Sequence, residues 1–158
     1  MIRIMKRVGW FLLFLLGFLI TSCSTNKSLD INLNGINTQS INLSSLKGKI
    51  ILINIFQTDC PACQEEIPSL NKLYDHYKNN NNVKIIGISL NSDGLHSFIN
   101  YYKIQYPIYT INQSDLSKLG GVAYTPTTIL IDKNGNTVER FVGVRDFYFL
   151  STNINILL

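Results

Sequence analysis

Cys60-Pro61-Ala62-Cys63 is the stretch of this sequence best equipped for chemistry. Two thiols separated by two residues can make and break a disulfide within one turn of chain. The loop that such a bond closes is too short to stabilise a fold much, because the entropic gain grows with loop length. A redox use is the better reading. The pair follows a continuous apolar run, Ile50 to Phe56, and precedes a helical segment, so it stands at a strand-to-helix junction. The thiolate is the reactive form, and an ordinary thiol, with a pKa of about 8.5, is mostly protonated at neutral pH. The free N–H groups and dipole at a helix N-terminus stabilise the anion. Cys60, at or just before the first turn, is expected to be exposed and to attack. Cys63, one turn later and more covered, is expected to resolve the mixed disulfide. Pro61 stiffens the loop where its missing N–H costs little.

A CxxC pair can also be half of a zinc site, which needs two further ligands. The third cysteine is Cys23, and the two histidines, His76 and His96, are isolated. Copper on the two thiolates is the other metal reading, without a Met or His cluster to accompany it. No metal and no cofactor is expected.

The elements that must position the pair follow from pattern. Residues 29–33 and 39–43 alternate as short strands, with Asn34-Gly35 as a turn signal between them. The run 50–56 is rich in β-branched residues and reads as a central strand buried on both faces. A helix is expected over 61–77, with Pro61 at its first position and Pro68 kinking it. A second buried strand at 83–90, a helix at 93–103, an extended piece at 107–111 and a short helix at 115–119 come next. Strands at 127–132 and 137–142 flank the turn Lys133-Asn134-Gly135-Asn136, and a last helix covers 146–158. This order implies an α/β fold, a central mixed β-sheet flanked by helices. Nothing in the chain suggests a linker that would divide it.

Residues 1–22 have the layout of a bacterial export signal: Arg3, Lys6 and Arg7, then a 13-residue uncharged, mostly apolar run from Val8 to Ile20. That run is short of the roughly 20 residues needed to span a bilayer. Leu19-Ile20-Thr21-Ser22-Cys23 resembles the bacterial lipobox, which implies cleavage before Cys23 and lipid on its sulfur. The expected division is a signal peptide at 1–22, lipidated Cys23 with a short tether to residue 28, and one domain over 29–158. The domain would sit outside the cytoplasm, anchored to a bacterial membrane through Cys23 and facing the periplasm in a Gram-negative cell, where disulfides are permitted. The chain's formal charge of +4 comes largely from its first seven residues; from Cys23 onward 11 Lys and Arg face 10 Asp and Glu. With no basic patch, nucleic acid is not an expected partner.

The segment "KIILINIFQTDCPACQEEIPSL" at 49–70 resembles the active-site region of the TlpA/ResA-like thioredoxin lipoproteins and their cytochrome-c-maturation relatives. "VKIIGISLNSD" at 83–93 and "GVAYTPTTILIDKNGNTVERFVG" at 121–143 extend the resemblance over most of 29–150. It implies a thioredoxin fold with an N-terminal β-hairpin and an inserted βα segment, roughly 83–106. It implies that Pro126 is a cis-proline facing the CxxC, with Thr125 offering hydrogen bonds to an extended substrate. Such a bond is costly enough in general to be a deliberate feature.

Glu66, six residues after Cys60, stands where ResA-like members carry an acid near the disulfide. It reads either as a partly buried carboxylate that takes the proton Cys63 must lose, or as a solvated first-turn residue serving the dipole. Glu65 is expected to face solvent. Asp59 replaces the Trp common before the first Cys; its charge opposes a thiolate at Cys60, or it caps the helix. Asn54 stands where thioredoxins proper carry a buried Asp, which raises the weight on Glu66. The resemblance points to a reductase, expected to take electrons from a membrane thiol donor and to reduce disulfides of exported proteins, with apocytochrome c foremost; a monomer is expected. A peroxiredoxin-like peroxidase is the alternative enzyme, but Gln57 stands where a Thr is usual there. A redox-inactive or copper-binding lipoprotein is the non-enzymatic alternative.

Overall fold

In the computed structural model, which describes residues 29–158, the run Ile50–Phe56 is the spine of a seven-stranded mixed sheet. The elements in chain order are β1 (Asn32–Gly35), β2 (Ile41–Asn42), a 3-10 turn (Leu43–Leu46), β3 (Ile50–Phe56), α1 (Pro61–Tyr77), β4 (Val83–Ser89), α2 (Leu95–Tyr101), β5 (Ile108–Ile111), α3 (Gln113–Lys118), β6 (Thr127–Ile131), β7 (Thr137–Val142) and α4 (Phe147–Leu157). The strand order is β2-β1-β5-β4-β3-β6-β7. β3 runs parallel to β4 and antiparallel to β6, and β4 runs parallel to β5. The signal, lipidation and tether expectations for 1–28 lie outside the described residues.

Every residue of β3 is buried. Alternation sends Ile50, Leu52 and Phe56 to one face, where α1, α2 and α4 supply Leu70, Phe98 and Leu150. Ile51, Ile53 and Ile55 face the other side and pack with Ile31, Leu33, Leu43 and Leu116. Asn54 is the polar member of β3, and its register with Thr128 fixes where it points. α1 runs unbroken through the exposed Pro68. The segment 83–106 supplies β4, paired with β3 along its whole length, and α2.

The N-terminal hairpin differs from the sequence pattern. Asn34 and Gly35 lie inside β1 rather than in the turn, and the chain reverses over 36–40. β1 is pinned from its other side by β5, with Leu33 opposite Ile111 and Gly35 opposite Tyr109. Gly35 is needed for close approach: a Cβ there would lie 2.1 Å from the Thr38 carbonyl oxygen. Capping moves the helix ends. Asn112 accepts from the Asp115 N–H at 2.8 Å, so α3 starts two residues early. α2 is shorter than expected, starting after left-handed Gly94 and ending before Lys103, whose φ is +51°. The two edges of the sheet are unlike: β2 has two residues, and β7 has six, nearly all exposed, with Glu139 and Arg140 among them.

Candidate active site

The loop after β3 carries the cysteines, and it is tied at three points. Asn91 Oδ1 accepts from the Thr58 N–H at 3.1 Å, Asn91 Nδ2 donates to Thr58 Oγ1 at 2.8 Å, and Gln64 Nε2 donates to the Thr58 carbonyl at 3.0 Å. Loop 57–59 is thereby held to the end of β4 and to the first turn of α1. Cys60 and Cys63 are joined as a disulfide with Cα atoms 5.2 Å apart. Cys60 is half-buried and Cys63 is buried.

Cys60 itself is the N-cap of α1: its sulfur accepts from the Cys63 N–H at 3.2 Å, and its carbonyl accepts from Cys63 and Gln64. This corrects the capping reading of Asp59, which stands one residue outside the helix and is exposed. The Cys63 N–H that a cap must satisfy faces the sulfur, so one orphan donor of the helix end is aimed at the reacting atom. Pro61 is the first helical residue.

The Thr125–Pro126 peptide bond is cis, and the Thr125 carbonyl oxygen lies 3.5 Å from Cys60 Sγ. In the dithiol form the Cys60 thiol can donate to this oxygen. Thr125 Oγ1 is 3.4 Å from Gln57 Oε1, Thr127 Oγ1 donates to the Tyr124 carbonyl at 2.6 Å, and Gly143 N–H donates to the Pro126 carbonyl at 2.8 Å. The segment is thus braced by both β6 and β7, while Tyr124 projects into solvent, 72% exposed.

Glu66 is fully buried, which rules out the solvated reading; Glu65 is exposed. Glu66 lies one turn beyond Cys63 on the same inward face of α1. Its Oε2 accepts from Asn54 Nδ2 at 2.8 Å and its Oε1 from the Arg145 N–H at 2.9 Å. Asn54 Nδ2 also reaches Thr128 Oγ1 at 3.3 Å. Burial pushes the Glu66 pKa up from 4.5 to about 7, against the pull of the Arg145 N–H, the Asn54 amide and the Arg145 charge. A carboxyl poised near neutrality one helical turn from Cys63 can take or return a proton once the disulfide is reduced. The Tyr106 phenol is fully buried; burial, then the charge of Glu66, push its pKa up.

Cys60, Cys63, Thr125, Pro126 and Glu66 therefore gather at one end of the sheet. Sequence reasoning missed Arg145, Thr128 and Asn91. Arg145 acts on Glu66 through its main-chain N–H, which leaves no mark on residue type. Cys23 lies outside the described residues. Among the described residues, no group of three or more His, Cys, Asp or Glu side chains could hold a metal ion.

Comparison with known proteins gives a consistent picture. The AhpC/TSA family model matches residues 25–140. The thiol-disulfide oxidoreductase ResA of Bacillus thuringiensis (strain Al Hakam) is 34% identical over 107 residues, covering 66% of this chain and 61% of that protein. ResA of Bacillus subtilis (strain 168) is 27% identical over 123 residues, covering 77% and 68%. The chain thus matches less than two thirds of the length of its first-ranking curated relatives. Among solved structures, a thioredoxin-family thiol:disulfide interchange protein from Chlorobium tepidum TLS superposes with a TM-score of 0.70 at 22% identity, covering 81% of this chain and 94% of that one. That likeness establishes the thioredoxin-type fold.

Proposed function

The chain belongs to the AhpC/TSA family, and from that premise we propose that it is a thiol–disulfide oxidoreductase that reduces disulfides of exported proteins. The observation that carries the reading is the Cys60–Cys63 disulfide at the start of α1, with Cys60 Sγ 3.5 Å from the Thr125 carbonyl beside a cis-proline. In the reduced protein the Cys60 thiolate attacks a substrate sulfur, and one substrate thiolate leaves and takes a proton. The Cys63 thiol gives its proton to the Glu66 carboxylate. Cys63 then attacks Cys60, which frees the second substrate thiolate and leaves the protein as the disulfide. Two electrons pass from protein to substrate, and a membrane thiol donor restores the dithiol. Thr125 and Pro126 line the place where an extended substrate backbone would lie.

The site's chemistry supports reduction over strong oxidation. A powerful oxidant depends on a very stable thiolate, whereas here Asp59 adjoins Cys60 and a carbonyl oxygen faces its sulfur. Apocytochrome c CxxCH segments are the proposed substrate, from the resemblance of residues 49–70 to cytochrome-c-maturation proteins. We place the protein outside the cytoplasm as a monomer, held to the membrane by lipid on Cys23. The peroxidase reading is disfavoured by Gln57, whose side chain meets Thr125.

The test is insulin reduction by wild type, Cys60→Ala and Cys63→Ala, with Cys63→Ala also used to trap partners in cells. Both substitutions should abolish turnover, and Cys63→Ala should accumulate mixed disulfides with exported proteins. Turnover unaffected by either change would refute the assignment.

A further inference from the structure

The end of the molecule opposite the disulfide is rich in lysine. The Gly48 N–H donates to the Lys133 carbonyl at 3.1 Å and the Ile50 N–H to the Asn82 carbonyl at 2.8 Å. These bonds gather the turns at 47–49, 79–82 and 132–136 around the start of β3, next to the end of α1. Lys47, Lys49, Lys78, Lys84 and Lys133 belong to this end. Lys49 reaches the Asn81 carbonyl, and Lys133 Nζ reaches the Leu158 carbonyl at 2.8 Å. The latter contact draws in the end of α4, where Ile156 is 75% exposed and Leu158 is also exposed.

The acids of this end are Asp30, Asp75, Asp132 and, one register step beyond the level of Lys84, the exposed Glu139 of β7. Asp75 pairs with Lys78 and offsets its charge, while Asp132, which accepts from the N–H groups of Asn134 and Asn136, and Asp30, which accepts from Asn42 Nδ2, keep theirs, so the lysines exceed the acids by a small margin. At the disulfide end Asp59, Glu65, Asp93 and Asp146 are exposed, with Arg145 beside Asp146 and Lys72 over the neighbouring Phe147 ring.

The place where the chain joins the domain is a second, independent observation. Leu29 rests on the 132–136 turn, so closely that a Cβ on Gly135 would lie 3.1 Å from Leu29 Cδ1. Residues 1–28, with their 13-residue uncharged run, therefore join the domain at the lysine-rich end.

We propose that this end docks on an anionic phospholipid surface, so that Cys60–Cys63 faces away from the bilayer. The orientation builds on the membrane-directed reading of residues 1–28; the preference for anionic lipid stands on the lysines alone. Lysines near such a surface strengthen binding roughly fivefold each, and the exposed Ile156 and Leu158 add apolar contact. The 17 residues of α1 separate the two ends by about 25 Å. That is several times the screening length of about 8 Å at physiological salt, so the acids around Cys60 stay clear of the lipid charge.

The experiment uses the full chain with its single tryptophan removed, Trp10→Phe, and a new tryptophan placed either at Asn134 or at Tyr124. Each protein is mixed with vesicles of phosphatidylcholine alone or with added phosphatidylglycerol, containing a lipid spin-labelled at its headgroup. Asn134→Trp should be quenched on the anionic vesicles only, and Tyr124→Trp on neither. Salt at about 0.5 M should remove the quenching. Lys47→Glu with Lys84→Glu should weaken the anionic-vesicle interaction at least about 25-fold while insulin reduction in solution is unchanged. Retention on both vesicle types with quenching indifferent to phosphatidylglycerol would uphold the anchor and overturn the docking surface. Equal quenching at both positions, or no association with either vesicle, would overturn it too. Binding to the anionic vesicles alone would uphold it even with the anchor reading lost. Loss of insulin reduction in the parent protein would count against the redox reading and leave the docking result intact.

Discussion

The Arg145 main-chain N–H donates to Glu66 Oε1 at 2.9 Å across 79 positions of sequence. This bond joins the loop before α4 to the buried Glu66 carboxyl, and with Asn54 it opposes the burial that raises that carboxyl's pKa.

Glu66 should make stability depend on pH. Its pKa is raised from 4.5 to about 7, so the folded state holds the proton more tightly than the unfolded chain. Its contribution is fully present below about pH 4.5, declines as pH rises, and is gone above about pH 7. The full difference is ~3 kcal/mol. Urea unfolding of the oxidised protein between pH 4.5 and 8 should show wild type losing about that much more stability than Glu66→Gln. Parallel curves would mean that Glu66 does not titrate there.

Asn54→Asp should place a second carboxylate against the first. Two such groups about 3 Å apart cannot both ionise cheaply, and they would titrate as a pair. The variant should be less stable than wild type by ~2–4 kcal/mol at pH 8, with the deficit shrinking toward pH 5. A deficit that grows as pH falls would contradict the contact seen between Asn54 and Glu66.

Asp59→Asn should make Cys60 more acidic. Removing a negative neighbour favours the thiolate. The pH dependence of iodoacetamide alkylation of the reduced protein measures it. An alkylation midpoint that stays put or moves up would remove Asp59 from the account of the site.

Gly35→Ala and Gly48→Ala separate two uses of glycine. At Gly35 the added Cβ meets main chain, the Thr38 carbonyl oxygen at 2.1 Å, so the turn itself must shift, at a cost of ~2 kcal/mol or more. At Gly48 nothing lies within 4 Å, and the penalty comes from φ of +88° alone, about 1 kcal/mol. Thermal unfolding should rank Gly35→Ala below Gly48→Ala, and the reverse order would assign the strain wrongly.

What could be read from the sequence was what residue type controls. The apolar run of β3, the CxxC after it and the strands around Lys133-Asn134-Gly135-Asn136 came through because burial and turn chemistry constrain side chains directly. Relations that run through the main chain did not. The Arg145 donor demands no particular side chain, and Gly35 serves a close approach that local pattern mistakes for a turn. Asp59 has the better capping propensity, yet the cap is Cys60, because the helix begins where Pro61 fixes the backbone and the Cys63 N–H points back at the sulfur. The burial of Glu66 became visible only once Asn54 and α1 were seen on the same face of the sheet.

The unequal edges of the sheet bear on the company this protein is proposed to keep. Unfolded, disulfide-bearing chains are full of unpaired strand segments that seek a template. One border here is two residues long, and the other carries Glu139 and Arg140 along an exposed row, both of which discourage edge-to-edge pairing. On the proposed function, a client could come close enough for its sulfur to be attacked and still leave without pairing to the sheet edge.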